Sequence, residues 1–276
     1  MRRSAGDVKI VVHKIRENVS MLEGSGGNIT VLTSRDGTAL IDTGLQGSRA
    51  RILEALKGLS GGPVKKVINT HWHFDHTDGN EWLHESGAEI IAHEKTRERM
   101  AESTRVEAWK FTFPPSAQAA RPTSVFQKNH RLEVGRSSID LEYYGPCHTD
   151  TDVLAHLKEE DVLAVGDTWW NGYYPFIDYS TGGSINGTIR ATEKNIEKAI
   201  GSMVVIPGHG PIGGVAELKK FHEMLLTIRD RVAAKKKQGN SLAEVIATKP
   251  TAEFDEKWGG FLIDGKTFTS LVYAGV

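Results

Sequence analysis

Four strand-like runs in this sequence each end in a short turn that carries histidine or aspartate. The run at 64–68 leads into residues 71–76 (His-Trp-His-Phe-Asp-His), a dense group of metal-binding residue types. Three later apolar runs are followed in the same way by His148, Asp167 and His209. Because strand ends can meet at one edge of a sheet, these turns can form a single site on a rigid scaffold. The pattern therefore favours a sheet fold in which all four turns converge.

The first half of the chain is typical of β-hairpins followed by alternating strands and helices. Its apolar runs predict strands at 8–13, 19–22, 28–33, 38–41, 64–68 and 88–92, and helices around 52–59 and 79–86. Asp36-Gly37 lies between two of the strand-like runs and indicates a hairpin turn. The segment 103–124 contains three prolines and has weak periodicity. We expect it to be a long connection, partly helical, of the kind that often forms a functional lid.

The second half repeats this style. It predicts strands at 131–134, 138–144, 152–157, 162–165 and 203–206, and helices at 184–200 and 215–237. The tail, 241–276, predicts a short helix and irregular structure. No linker divides the chain, so we expect one domain over 1–276, with 241–276 packed on it as a C-terminal extension. These elements favour an α/β fold of four layers, with two sheets inside and helices outside.

The charge balance excludes some classes of partner. Lysine and arginine total 34 against 35 aspartates and glutamates, a formal net charge of -1, so we expect no nucleic-acid or membrane partner. Cys147 is the one cysteine and cannot form an intrachain disulfide. If Met1 is native we expect a cytoplasmic protein, and if a leader has been removed, a periplasmic or secreted one. Self-association into a homo-oligomer stays open.

The spacing of the histidines favours a metal site. His71 and His73 are two residues apart, so in extended backbone their side chains project to the same side. Asp75 and His76 then face a second position. Imidazole nitrogens with carboxylates suit zinc, and iron, manganese or cobalt would also fit this donor set.

Aromatic residues surround the same turns. We expect five of them to form the walls of a substrate pocket, which is usually mostly apolar. They are Trp72, Phe74, Trp169, Trp170 and Tyr173. Packing in the core or at an interface is the alternative for each.

These motifs resemble those of the metallo-β-lactamase superfamily, over about residues 8–230. The resemblance implies an αββα sandwich with metals at one edge. It implies that one metal is held by His71, His73 and His148, and a second by Asp75, His76 and His209. Asp167 would bridge the two, as in members similar to glyoxalase II. Asp42, in Leu-Ile-Asp-Thr-Gly, matches a family position that supports the ligands from behind.

The resemblance implies two Zn²⁺ ions per chain, with iron or manganese as alternatives. Two metals about 3.5–4 Å apart can share a hydroxide that attacks a substrate carbonyl. Asp75 would bind metal and orient that hydroxide, and is the expected catalytic residue. We therefore expect a hydrolase of a small carbonyl substrate: a lactone, thioester, ester or amide, including a β-lactam. A phosphodiesterase or nuclease, an iron-dependent oxidoreductase and a non-catalytic metal-binding protein are the alternatives.

Overall fold

The structure, a computed structural model, describes residues 8–276. The N-terminal residues on which the predicted localisation depends lie outside that range. The strands are β1 Val11–Lys14, β2 Val19–Glu23, β3 Ile29–Leu32, β4 Thr38–Ile41, β5 Val64–Ile68, β6 Glu89–His93, β7 Thr104–Val106, β8 Phe111–Phe113, β9 Ser124–Phe126, β10 Asn129–Val134, β11 Ser137–Tyr143, β12 Val153–Leu157, β13 Val162–Ala164 and β14 Val204–Ile206. The α-helices are α1 Arg49–Lys57, α2 Phe74–Thr77, α3 Asn80–Glu85, α4 Glu94–Ala101, α5 Ile185–Lys198, α6 Val215–Lys237, α7 Leu242–Ala247, α8 Asp255–Trp258 and α9 Gly265–Gly275.

Two large sheets form the centre of the fold. The first has seven strands in the order β1-β2-β3-β4-β5-β6-β9. Its first four strands pair antiparallel, and the remaining pairs are parallel. The second has five strands in the order β10-β11-β12-β13-β14, and only its last pair is parallel. A separate hairpin joins β7 and β8.

Three apolar clusters separate four layers. Residues such as Ile41 in the first sheet and Ile139 in the second fill the space between the sheets. Val67 packs on the outer face of the first sheet with residues of α1 and α3. Leu163 packs on the outer face of the second sheet with Phe221 of α6 and other helical residues. Burial of one face of each helix and both faces of each sheet gives the predicted αββα sandwich.

Several predicted elements are confirmed. The bounds of β4, β5 and α6 are those that the sequence pattern predicts. Helix α5 begins after Ser184, whose side chain accepts a hydrogen bond from the backbone N–H of Gly187, as an N-cap does. The turn at Asp36-Gly37 joins the antiparallel strands β3 and β4.

Two predictions about irregular segments were wrong. The segment 103–124 is not only a connection, because it contains the β7–β8 hairpin. The tail contains three helices, and the longest, α9, buries Phe268 and Val272 against the second sheet's helical layer. Both segments contact distant parts of the chain, which local periodicity does not reveal. Within 8–276, no helix has the length and apolar character needed to cross a membrane.

Candidate metal centre

Seven side chains converge at one edge of the sandwich, where several strands end. The turns after β5, β11, β13 and β14 supply His71, His148, Asp167 and His209, as the strand-end pattern requires. The first group is formed by four buried residues whose ligand-type atoms lie within 4.8 Å of one another: His71, His73, His148 and Asp167. The second group meets the same limit and contains Asp75, His76 and His209.

The Asp167 carboxylate lies between the two groups. Its Oδ2 is 3.4 Å from His148 Nε2 in the first group and 3.4 Å from His209 Nε2 in the second. Its Oδ1 is 3.1 Å from His76 Nε2. The carboxylate can therefore contact two positions at once, and the structure brings together all seven residues singled out in the sequence.

Outward hydrogen bonds fix the orientation of the first group's rings. His148 Nδ1 donates to the carbonyl of Phe176 at 2.7 Å, and His73 Nε2 donates to the Asp178 carboxylate at 3.1 Å. His71 Nδ1 lies 3.0 Å from the Thr70 hydroxyl, whose own hydrogen goes to Asp42 at 2.7 Å. Carbonyl and carboxylate oxygens only accept, so each ring presents its proton outward.

The inward nitrogens of these three rings therefore carry lone pairs. His73 Nδ1 and His148 Nε2 face each other at 2.9 Å, and His71 Nε2 is buried with no hydrogen-bond partner. Bare lone pairs this close repel, and a buried unpaired nitrogen costs about 1–3 kcal/mol. A cation between the rings removes both costs. The donor set thus fits a metal ion.

Burial acts on the ionisation of the first group. It lowers the pKa of His148 to about 4. Burial, followed by the charge of His76, also lowers the pKa of His71 well below its usual value. Because metal binds only unprotonated imidazole, His71 and His148 are ready to bind a cation at neutral pH.

The histidines of the second group have raised pKa values because carboxylates lie next to them. Burial opposes protonation of His76, but Asp167, Asp75 and Asp42 together raise its pKa well above the ordinary value. The pKa of His209 is raised to about 9 by Asp167 and Asp75, again against burial. Asp75 responds in the opposite direction: burial would raise its pKa, but His76 and His209 lower it to about 2. The carboxylate of Asp75 is therefore ionised at neutral pH.

Two glycines allow the close approach of these side chains. A Cβ on Gly27 would lie 2.2 Å from His76 Cε1, and a Cβ on Gly208 would lie 1.9 Å from Asp167 Oδ1. Both distances are far below any van der Waals contact, so a larger residue at either position would displace a clustered side chain.

Two buried aspartates hold the centre from behind. Asp42, which has a left-handed φ of 64°, accepts hydrogen bonds from His76 Nδ1 at 2.8 Å and from the backbone N–H of Thr70 at 2.8 Å. This is the position that the sequence resemblance assigned to a supporting role. Asp178 supports His73 in the same way, and sequence reasoning missed it because it lies in no strand-end motif.

An apolar cavity of about 660 Å³ opens onto the centre. Phe74 and Trp170, two of the five residues expected in the walls, line it. Trp72 and Trp169 do not line it, and they are 4% and 0% exposed in the core beside the second sheet. Tyr173 does not line the cavity either, and its ring packs 4.8 Å from that of Phe261.

Trp72 lies in a bend between β5 and α2 and not in extended strand. Its indole N–H donates to the buried Thr181 hydroxyl at 3.3 Å, so the side chain points into the core. Most of the wall comes from residues that sequence reasoning missed. They lie on the β7–β8 hairpin, before α5 and in the C-terminal segment: Trp109, Phe111, Phe113, Phe176, Leu262, Ile263 and Leu271. In the sequence, only their aromatic or apolar character could have indicated that they line a cavity.

Part of this chain is similar in sequence to known proteins. The family model described as "Metallo-beta-lactamase superfamily" matches residues 22–209. A metallo-beta-lactamase type 2 from Pseudomonas aeruginosa is 29% identical over 106 residues, which cover 38% of this chain and 37% of that protein. A hydroxyacylglutathione hydrolase from Polaromonas sp. (strain JS666) is 26% identical over 152 residues, which cover 55% of this chain and 50% of that protein. These matches span at most half the length of either relative.

Solved structures support the fold. A metallo-beta-lactamase from Pontibacter korlensis superposes with a TM-score of 0.63 and 21% identity, covering 79% of this chain and 99% of the other. The DIM-1 metallo-beta-lactamase gives a TM-score of 0.63 and 21% identity, covering 80% of this chain and 99% of the other. At this level of identity the likeness concerns the fold alone.

Proposed function

The chain belongs to the metallo-beta-lactamase superfamily, and from that premise we propose that it is a hydrolase dependent on two metal ions. One observation carries the proposal: two adjacent groups of ligand-type side chains share the Asp167 carboxylate. We assign one ion to His71, His73 and His148, and the other to Asp75, His76 and His209, with Asp167 between them. The three lone pairs in the first group support this assignment.

We propose Zn²⁺ as the native ion at both positions, with iron or manganese as alternatives that accept the same ligands. When bound, such ions supply acidity to water and polarise a carbonyl. The buried ligands would hold them in a site of low dielectric, where electrostatic effects are strong.

Asp75 differs from the other acidic ligand in its access to substrate. Both side chains line the cavity, but that of Asp75 is 18% exposed and that of Asp167 is 2% exposed. The ionised Asp75 carboxylate can therefore orient a water molecule and accept its proton. The water oxygen then bonds to the substrate carbonyl carbon, the bond from that carbon to the leaving group breaks, and the leaving group takes up the proton. No serine or cysteine nucleophile is needed.

We propose a small carbonyl compound as substrate: a lactone, thioester, ester or amide. The even charge balance supports a small-molecule rather than a nucleic-acid partner. We also propose that residues 1–276 form one domain. The apolar cluster beside the second sheet, shared by Leu163, Phe221 and Phe268, supports the packing of segment 241–276 on that domain.

A hydrolysis panel tests the proposal. The protein, loaded with Zn²⁺, is offered a lactone, a thioester, an ester, a β-lactam and bis-p-nitrophenyl phosphate. We expect turnover of at least one carbonyl substrate, abolished by a chelator and restored by Zn²⁺. Turnover of the phosphate diester alone would replace the proposal with a phosphodiesterase. Turnover that survives complete removal of metal would also contradict it.

A further inference from the structure

Over the described residues, the cavity walls outside the proposed metal ligands carry no cationic side chain. Among the described residues that line it, none is lysine or arginine. Within residues 8–276, and apart from the proposed metal ligands and the indole N–H groups of its tryptophans, Thr267 is the only lining residue with a polar side chain. The cavity thus offers a substrate carboxylate no ion pair beyond the metal centre itself.

Aromatic contacts hold the cavity walls together. Trp109, between β7 and β8, stacks on Phe176 with ring centroids 4.8 Å apart. Phe113 stacks on Phe74 at 5.5 Å, so the hairpin is joined to the turn that carries the proposed ligands. Aliphatic residues of the C-terminal segment, among them Leu262, also line the cavity.

The apolar lining continues to the mouth of the cavity. Three large apolar side chains there remain exposed: Phe111 by 51%, Leu262 by 52% and Trp109 by 37%. Exposed hydrophobic groups that are continuous with a cavity mark a binding surface rather than ordinary surface scatter. The rim and the cavity therefore form one apolar surface that leads to the metal centre.

We propose that the substrate is an uncharged ester, thioester or lactone with a long apolar acyl or aryl group that fills this cavity. This rests on the proposed hydrolase function and deepens it. The volume, about 660 Å³, falls in the range of sites for small organic ligands. An apolar group gains free energy on entering such walls, whereas a carboxylate placed there without a partner loses its hydration. The site therefore favours substrates with a long apolar group and disfavours substrates that carry a carboxylate.

Matched esters test the selectivity. The Zn²⁺-loaded protein is assayed with p-nitrophenyl acetate, butanoate and octanoate, and with the octanoate analogue that ends in a carboxylate. We expect kcat/KM to rise by about twofold to fourfold per methylene, and to fall by at least about tenfold when the chain ends in a carboxylate. Equal rates for the neutral and acidic esters would overturn the inference.

A charge placed in the wall supplies a second test. Leu262→Lys introduces a cation at a half-exposed rim position, where it should not prevent folding. We expect this variant to narrow the preference for the neutral over the acidic octanoate ester by about twofold to fivefold. Ile200→Lys is the matched control, because Ile200 is 70% exposed and does not line the cavity. The control should keep the original preference, and an equal change in both variants would contradict the inference.

The two proposals fail in different ways. If the metal-loaded protein hydrolyses no carbonyl compound at all, the proposed function is wrong. If it hydrolyses acidic and neutral substrates equally well, or if chain length has no effect on kcat/KM, only the inferred substrate class is wrong.

Discussion

Replacing Asp178 by asparagine tests how the first group of ligands is held. The Asp178 carboxylate is buried and accepts three hydrogen bonds: from His73 Nε2 at 3.1 Å, from the Thr181 hydroxyl at 2.7 Å and from the backbone N–H of Ser180 at 3.0 Å. Asparagine has one side-chain acceptor oxygen, so Asp178→Asn cannot satisfy all three donors.

The expected magnitude follows from the charge on the acceptor. A hydrogen bond to a charged group contributes about 1.5–3 kcal/mol and a neutral one about 1 kcal/mol. The carboxylate also makes the His73 ring a better ligand, so much of the difference appears when metal binds. A loss of about 1–2 kcal/mol in the free energy of Zn²⁺ binding corresponds to an affinity about fivefold to thirtyfold weaker.

Isothermal titration of the metal-free protein with Zn²⁺ measures this effect. We expect Asp178→Asn to weaken the binding of the ion assigned to the first group. Thr181→Val is the control, because it removes the hydrogen bond to Asp178 and the one accepted from Trp72 Nε1, and leaves the contact with His73 in place. Thermal unfolding of both metal-free variants reports any general destabilisation. If Asp178→Asn lowers the unfolding temperature but leaves Zn²⁺ affinity intact, Asp178 is only a structural residue.

Three further predictions concern the second group. Asp75→Ala should lose nearly all hydrolysis while the fold is retained, and an unaffected rate would remove Asp75 from the reaction. Gly27→Ala places a Cβ 2.2 Å from the His76 ring, so it should lower bound metal from about two ions to about one. Gly260→Ala, which has open space around the added Cβ, should keep both. Finally, the pKa of His209 is raised to about 9, so the second ion must displace protons at neutral pH. Its affinity should rise with pH up to about 9, since ligands bind metal only when deprotonated.

The first ion serves as the control for the predicted pH dependence of the second. Burial lowers the pKa of His148 to about 4, so its proton is already absent at neutral pH. The affinity of the first ion should therefore depend on pH less steeply than that of the second. Titrations at several pH values separate the two ions. Equal pH dependence for both would refute the assigned difference between the groups.

The ligand-type residues were predictable from sequence because their positions follow local rules. Each lies just beyond a short apolar strand, and parallel or neighbouring strands end at the same edge of a sheet. His71 and His73, two residues apart, both reach the first group. Trp72, between them, lies in a bend beyond β5, and only the fold shows that it packs in the core.

The cavity walls were not predictable in the same way. Trp109 and Leu262 are about 150 residues apart in sequence. Each lies in a segment without clear periodicity. Their positions depend on packing of the β7–β8 hairpin and the C-terminal helices against distant elements. Trp169 shows the converse, because an aromatic residue beside a ligand turn is 0% exposed and packs in the core. Composition identifies such residues as apolar, and only the tertiary fold decides which face substrate.

The metal content of the purified, metal-replete protein tests the central claim most directly. Inductively coupled plasma mass spectrometry on protein dialysed against Zn²⁺ and then freed of excess metal should give about two ions per chain. Asp167→Ala, which removes the carboxylate shared by both groups, should lower that value. A wild-type content near zero, in protein that is folded by circular dichroism, would contradict the metal centre and the hydrolase proposed from it.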